Sequence, residues 1–221
     1  MLWFANQRAV EYHPTLGRAE RWDRPTHLVL DIDPPAGSPF STAIGAARLV
    51  AQALAEVGMA GAVKTSGAKG LHVFVPIRDT SVEDAAAATR ALAARAERLD
   101  PDLATTAFIR DDRGGKVFLD STRAGGATVV AVYSPRARPG TPVSFPVAWN
   151  ELDQVMPGDF TVHSAPALLA DSNPWAELMP APQPVAAVLI EDGREIPVAR
   201  VQAMHEGKRR ARALRTADGD T

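Results

Sequence analysis

Cysteine is absent from this chain, which excludes disulfide bonds and thiolate metal sites. The first eight residues lack a basic segment followed by an apolar core, so they do not form a signal peptide. No apolar run approaches membrane-spanning length. The net charge of −2 neither requires nor excludes nucleic acid, since a basic groove can exist within a balanced total. From these absences we expect a cytoplasmic protein.

Acidic side chains end two apolar segments that are typical of strands. In residues 27–33, alternation places Asp31 and Asp33 on one face, and two prolines then end the strand. Asp120 ends a second such run at residues 116–120. Neighbouring carboxylates repel each other unless a cation lies between them. An Asp-x-Asp pair is common in loops, but the strand-end position and the matching Asp120 favour a functional site.

The order of the predicted elements indicates an α+β fold. Apolar spacing predicts a helix over residues 38–57, capped by Ser38 or Ser41, and another over residues 82–99, capped by Ser81. Strands are predicted at residues 27–33, 62–65, 71–77, 116–120 and 128–133. The central order β-α-β-β-α-β is the split arrangement of ferredoxin-like (RRM-like) folds, in which both helices cover one face of the sheet.

Alternation along the strands divides the side chains between the two faces of the sheet. The apolar set expected to face the helices is Leu28, Leu30, Ile32, Leu71, Val73, Val75, Val117 and Leu119. The set expected to face the opening is Asp31, Asp33, His72, Phe74, Lys116, Phe118 and Asp120. Packing alone does not explain three acids, a histidine and a lysine on one open face, so they indicate a site.

The chemistry of these groups predicts a metal site surrounded by phosphate-binding residues. Carboxylates on adjacent strands suit Mg²⁺ or Mn²⁺, and a pair of such ions stabilises in-line phosphoryl displacement. Residues 66–70, Ser-Gly-Ala-Lys-Gly, form a turn whose backbone amides approach an anion, with Lys69 adding charge and His72 following. Arg136 and Arg138 lie one alternation apart and both bind phosphate or carboxylate well.

The character of the chain changes after residue 133. Prolines punctuate residues 135–146, and residues 156–184 are rich in loops. Residues 185–190 and 196–201 predict a β-hairpin. The basic residues between 208 and 215 form a tail of the kind that is usually a solvated, mobile terminus, with phosphate binding as the alternative.

Four ordered motifs carry a resemblance to a family. They are Leu-Asp-Ile-Asp-Pro at residues 30–34, Lys-Thr-Ser-Gly-Ala-Lys-Gly-Leu-His-Val at 64–73, Gly-Lys-Val-Phe-Leu-Asp at 115–120, and Tyr-Ser-Pro-Arg-Ala-Arg-Pro-Gly at 133–140. Together with residues 2–6 and 11–14, they resemble the polymerase (primase-like) domain of bacterial DNA ligase D, in the archaeo-eukaryotic primase superfamily. The resemblance covers residues 1–179. It divides the chain into that primase-polymerase domain and a segment, 180–221, with the hairpin and the basic tail.

The resemblance implies a nucleotidyltransferase that adds nucleotides, preferably ribonucleotides with Mn²⁺, to DNA ends during non-homologous end joining. Its implied partners are a nucleoside triphosphate, DNA ends in the nucleoid, Ku and a separate DNA ligase. By position, the implied metal ligands are Asp31, Asp33 and Asp120, and the groups that hold the triphosphate are Ser66, Lys69 and His72. The residues implied around the incoming nucleotide and the primer are His13, Arg113, Arg136 and Arg138.

The chain departs from the family pattern in two places. The segment 121–126, after Asp120, is altered and shorter than in the family. The family's N-terminal portion, with basic residues that contact the DNA end phosphate, is missing, so we expect Mn²⁺ and nucleotide binding but poor extension of DNA ends. Two alternatives remain open: an inactive nucleic-acid-binding remnant that stacks bases on Phe74 and Phe118, and a metal-dependent phosphohydrolase.

Overall fold

A computed structural model describes residue 3, residues 6–198 and residue 204 of the chain, and it shows the expected α+β fold. The strands are β1 (Gly17–Arg18), β2 (Arg21–Pro25), β3 (His27–Asp33), β4 (Ala62–Thr65), β5 (Leu71–Pro76), β6 (Ala104–Thr105), β7 (Val117–Asp120) and β8 (Pro146–Val147). The helices are α1 (Phe40–Glu56), α2 (Val82–Leu99), α3 (Ala165–Leu169), α4 (Pro174–Leu178) and α5 (Ala187–Glu195). Among the residues described, no helix combines the length and the apolar character needed to cross a membrane.

A six-stranded sheet forms the centre of the molecule, with the strand order β6-β7-β3-β5-β4-β8. All neighbouring strands from β7 to β8 run antiparallel, and only the edge strand β6 pairs in parallel, with β7. The order β7-β3-β5-β4 follows from β3-α1-β4-β5-α2-β7, in which each helix carries the chain past a neighbouring strand. The predicted β-α-β-β-α-β core is therefore confirmed.

The two long helices begin in different ways. Ser81 caps α2, because its hydroxyl oxygen accepts a hydrogen bond of 3.1 Å from the backbone amide of Asp84. For α1 the predicted serine cap is wrong: Pro39 occupies the N-cap position and no side chain caps the helix. Ser38 instead donates to the carbonyl of Pro35 and closes the preceding turn.

The main core lies between the sheet and the two long helices. All eight residues predicted to face the helices are buried in this core. Alanine-rich α2 lets α5 approach very closely: a Cβ added at Gly193 would lie 1.9 Å from the carbonyl oxygen of Ala87. Arg90 of α2 donates to the carbonyl oxygens of Gly193 and Ile196, at 2.9 and 3.1 Å, and so holds the end of α5.

The hairpin predicted for residues 185–190 and 196–201 is wrong in its first strand, because residues 187–190 form the beginning of α5. A helix buries Leu189 and Gly193, four residues apart, against α2, which a strand of alternating period would not do. Residues 196–198 form no strand, and residues 199–201 and the basic residues of the tail lie outside the described part of the chain.

The strand predicted at residues 128–133 is also absent from the described structure. This segment runs beside residues 12–14 through two separated backbone bonds, from the amide of Val129 to Pro14 and from that of Ala131 to Tyr12, at 3.2 and 2.9 Å. Tyr133 then adopts a φ of 63°, which ends any extended run.

Candidate metal and nucleotide site

The three carboxylates lie together where β3 and β7 end. Asp31 is the direct antiparallel partner of both His72 on β5 and Asp120 on β7, and Asp33 lies one alternation further along β3. They open into a cavity of about 430 Å³. Of the predicted site residues, those that line this cavity are Asp31, Asp33, Ser66, Lys69, His72, Arg113, Asp120, Arg136 and Arg138.

His13 is the one predicted site residue that does not line this cavity. Its Nε2 lies 3.0 Å from Glu11 Oε2, the same oxygen that Arg136 Nε contacts at 3.1 Å. Hydrogen bonds from His13 and from the amide of Ala137, together with the Arg136 charge, lower the pKa of Glu11 to about 2. Glu11 therefore connects His13 to the site through Arg136.

Each carboxylate already has cationic neighbours. Asp31 Oδ1 lies 3.3 Å from His72 Nε2, and Asp31 Oδ2 accepts from Arg123 Nη2 at 2.9 Å. Burial would raise the pKa of Asp31, but the hydrogen bond from His72 and the charge and hydrogen bond of Arg123 outweigh it and lower the pKa to about 2. Asp33 contacts Lys69 Nζ at 2.9 Å and Arg113 Nη1 at 3.6 Å.

Asp120 is fixed by the turn that follows it. Its Oδ1 accepts from the amide and the hydroxyl of Thr122, at 2.8 and 2.6 Å. Its Oδ2 lies 3.1 Å from Arg123 Nη2, the nitrogen that also contacts Asp31. Asp31 and Asp120 therefore converge on one cationic atom, which is the arrangement that a cation ligated by both side chains requires.

Asp31 and Asp120 fit a hard divalent cation, because their oxygens converge on one position and carboxylate oxygens are the ligands that such ions prefer. Among the described residues, no group of three or more His, Cys, Asp or Glu side chains is already arranged around a metal position. The cause is visible in the ion pairs: Asp33 turns towards Lys69 while Asp31 and Asp120 share Arg123. A metal ion at this site has to replace some of these cations.

The turn after β4 is built by Ser66, whose hydroxyl oxygen accepts from the amides of Ala68 and Gly70, each at 3.2 Å. Gly70 is required there, because an added Cβ would lie 2.1 Å from the carbonyl oxygen of Ile32 on β3. This close approach brings Lys69 over Asp33, and Lys69 also donates to the carbonyl of Pro34. The turn thus places a lysine beside the carboxylates.

Lys64 is a site-supporting residue that the sequence analysis did not select. It is fully buried on β4, where Nζ lies 2.8 Å from His72 Nδ1 and donates to Ser144 Oγ at 2.5 Å. Burial lowers its pKa well below the usual value of a lysine. Its signal in the sequence is a lysine inside the apolar strand that leads into the Ser66 turn.

The contact with Lys64 also assigns the protonation of His72. Burial, then the charge of Lys64, lower the pKa of His72 to about 4, so its imidazole is neutral at pH 7. Asp31 is an ionised carboxylate that can only accept, so the imidazole proton lies on Nε2, which faces Asp31, and Nδ1 accepts from Lys64. His72 therefore presents an N–H donor to the site.

The two aromatic rings predicted to face the opening are covered. Phe74 is 7% exposed and packs with Leu16, Val29 and Val129 under Trp175, whose ring centroid is 5.3 Å away. Phe118 is 6% exposed, and the Arg113 guanidinium lies 3.8 Å above its ring. Neither ring offers a free face for base stacking. The prediction that an inactive nucleic-acid-binding remnant stacks bases on Phe74 and Phe118 is therefore wrong.

Comparison with known proteins gives consistent matches. A family model, the LigD primase-polymerase domain, matches residues 1–175. The chain is 33% identical over 187 residues to the multifunctional non-homologous end joining protein LigD of Pseudomonas aeruginosa, across 82% of this chain and 22% of that protein. It is 30% identical over 166 residues to the bifunctional non-homologous end joining protein LigD of Bacillus subtilis, across 73% of this chain and 27% of that protein.

Among solved structures, the fold is similar to the polymerase domain from Mycobacterium tuberculosis Ligase D in complex with DNA. The TM-score is 0.70 at 32% identity, and the match covers 80% of this chain and 67% of that chain. These comparisons confirm the resemblance that the four motifs predict. The chain spans 22% to 27% of the length of the LigD proteins above.

Proposed function

We propose that this chain, which belongs to the LigD primase-polymerase family, is a metal-dependent nucleotidyltransferase that adds nucleotides to DNA ends. The observation that carries the proposal is the meeting of Asp31, Asp33 and Asp120 in one cavity with Lys69 and the site arginines. Carboxylates for metal ions and cations for phosphates are the two sets of groups that phosphoryl transfer requires.

The carboxylates are the residues that would hold Mg²⁺ or Mn²⁺, which supply charge stabilisation for the transferred phosphoryl group. Asp31 and Asp120 are fixed for this task by β3, β7 and the Thr122 hydrogen bonds. Asp33 joins them when a triphosphate takes over the positive charge of Lys69. The residues thus exchange internal ion pairs for ligand contacts as the site fills.

Four groups of the chain are suited to bind and orient the triphosphate. Lys69 and Arg136 border the Ser66 turn, Arg138 lines the same cavity, and His72 presents its Nε2–H beside Asp31. Guanidinium groups bind phosphate oxygens in a fixed planar geometry, and the lysine acts as a point charge. Glu11 holds Arg136 from behind and so orients it before a ligand arrives.

We place this activity in non-homologous end joining, with DNA ends as the substrate. The support is the family, the names of the relatives and a structural neighbour that is in complex with DNA. A nucleoside triphosphate is the second substrate, and Ku and a separate DNA ligase are the partners that we propose on the same basis.

Primer extension with the purified protein in Mn²⁺, Mg²⁺ or EDTA tests the proposal. Incorporation should require a divalent cation and should fall about a thousandfold or more in Asp31→Asn, because a ligand charge and its transition-state stabilisation are lost. Asp171→Asn is the matched control, since Asp171 is exposed and outside the cavity. Incorporation in EDTA, or near-normal incorporation by a folded Asp31→Asn protein, would contradict the proposal.

A further inference from the structure

Arg123 contacts both carboxylates of the proposed metal site with a single nitrogen. Its Nη2 lies 2.9 Å from Asp31 Oδ2 and 3.1 Å from Asp120 Oδ2. The side chains of Asp31 and Asp120 are 20% and 12% exposed, so solvent screens these ion pairs only in part. The guanidinium therefore neutralises carboxylates that would otherwise face each other across two paired strands.

The other arginines of the cavity have anchors of their own. Arg113 donates to the carbonyls of Ala107 and Phe108, each at 3.2 Å, in addition to its contact with Asp33. Arg136 is held by Glu11 at 3.1 Å and by the carbonyl of Ser66 at 2.6 Å. Apart from the contact of Arg113 with Asp33, these anchors involve none of the proposed metal ligands.

Arg123 lacks comparable anchors among the described residues. Its Nε is buried without a hydrogen-bond partner, and Nη1 reaches only the carbonyl of Thr128, at 3.4 Å. What holds the guanidinium is thus the charge of Asp31 and Asp120, through Nη2 alone. With its side chain 31% exposed, Arg123 also has open space into which it can move.

Local structure explains why this arginine reaches the carboxylates. Asp120 binds Thr122 and thereby starts a 3-10 turn at Arg123–Gly125, which brings the side chain three residues after Asp120 back over it.

We propose that Arg123 is an internal competitor of the divalent cation and sets the affinity of this chain for its metal. A metal ion can bind to Asp31 and Asp120 only when the guanidinium leaves them, so the free energy of the two ion pairs is subtracted from that of metal binding. This inference rests on the proposed function, because it presupposes that these two aspartates bind the metal.

In the test, the full chain is titrated with Mn²⁺ in the absence of nucleotide. Binding is measured as the loss of the electron paramagnetic resonance signal of free Mn²⁺. Arg123→Gln should bind Mn²⁺ about tenfold to a hundredfold more tightly than the original chain, because the guanidinium contacts no longer have to be broken before the metal binds. The free energy of hydrogen bonds between charged groups corresponds to a change in affinity of this size. Arg123→Lys keeps the charge and should remain close to the original affinity. Arg98→Gln, an equal change of charge on the exposed side of α2, is the matched control and should not alter the affinity.

Each outcome decides the inference. Equal or weaker Mn²⁺ binding by Arg123→Gln would overturn it while leaving the proposed function intact, since the site still binds metal. Equal gains in Arg123→Gln and Arg123→Lys would overturn it as well, because space and not charge would then limit binding. Absence of Mn²⁺ binding by every protein would overturn both proposals. Melting curves with and without Mn²⁺ show that each variant is folded, and Mn²⁺ should raise the melting temperature of Arg123→Gln the most.

Discussion

One buried and one half-buried histidine should make the stability of this protein depend on pH between 7 and 5. Burial lowers the pKa of both His72 and His27 from 6.5 to about 4, with nearby positive charges adding to the effect. The unfolded chain therefore binds more protons than the folded chain in this range. Because of that difference, the free energy of unfolding is highest above pH 6.5 and falls as the pH drops towards the folded-state pKa values.

The magnitude follows from the shift of the pKa. For His72, which is 4% exposed, the free energy of unfolding should fall by about 2 kcal/mol between pH 7 and 5. His27 is less completely buried and should contribute less. Asp31 and Glu11, whose pKa values are lowered to about 2, lose their stabilising effect mainly below this range. A total loss of 2 to 4 kcal/mol is large against a stability of about 5–15 kcal/mol for a typical domain.

Urea denaturation followed by tryptophan fluorescence at pH 7, 6 and 5 measures this loss. His72→Gln and His27→Gln should each remove their own part of the pH dependence, whatever their effect on stability at pH 7. His163→Gln is the control, because His163 is exposed and should leave the pH dependence unchanged. A constant free energy of unfolding from pH 7 to 5, or an unaltered slope in His72→Gln, would refute this reasoning.

Two further predictions concern the turn between β4 and β5. Lys69→Ala should chiefly raise the KM for the nucleotide, because Lys69 binds phosphates that are already charged before the reaction. Steady-state kinetics measures this effect, with Arg98→Ala at an exposed position as the control. An unchanged KM in Lys69→Ala would mean that the turn is only structural. Gly70→Ala should lower the urea midpoint strongly, since its Cβ would lie 2.1 Å from the Ile32 carbonyl oxygen. Gly158→Ala, where a Cβ meets nothing within 4 Å, should leave the midpoint nearly unchanged, and equal midpoints for the two variants would contradict the close approach.

Local patterns were sufficient to predict the central fold. Alternation in β3 and β7 assigned Asp31, Asp33 and Asp120 to the face opposite the helices, because side chains in a strand alternate whatever the strand packs against. Ser81 was correctly identified as a cap, since that hydrogen bond spans three residues of the same turn. The family motifs are likewise continuous in the chain, so the resemblance is readable without any structure.

Residues 185–190 show where local patterns fail. A short apolar run fits a strand and a buried helix equally well, and the choice was made by the contact of Gly193 with Ala87 on α2. Phe74 was assigned to the correct face, but only the folded chain brings Trp175, about a hundred residues away, over its ring.

The electrostatics of the site were decided by tertiary structure for the same reason. The alternation of the strands assigned the acids and His72 to one face of the sheet, and the family motifs assigned Lys69 and the arginines to the same site. Which cation contacts which carboxylate depends on distances between separate strands and turns, as in the approach of Arg123 to Asp31 and of Lys69 to Asp33. Coulombic and hydrogen-bond energies depend steeply on these distances, so only the assembled sheet determines how strongly each aspartate is held before a metal ion arrives.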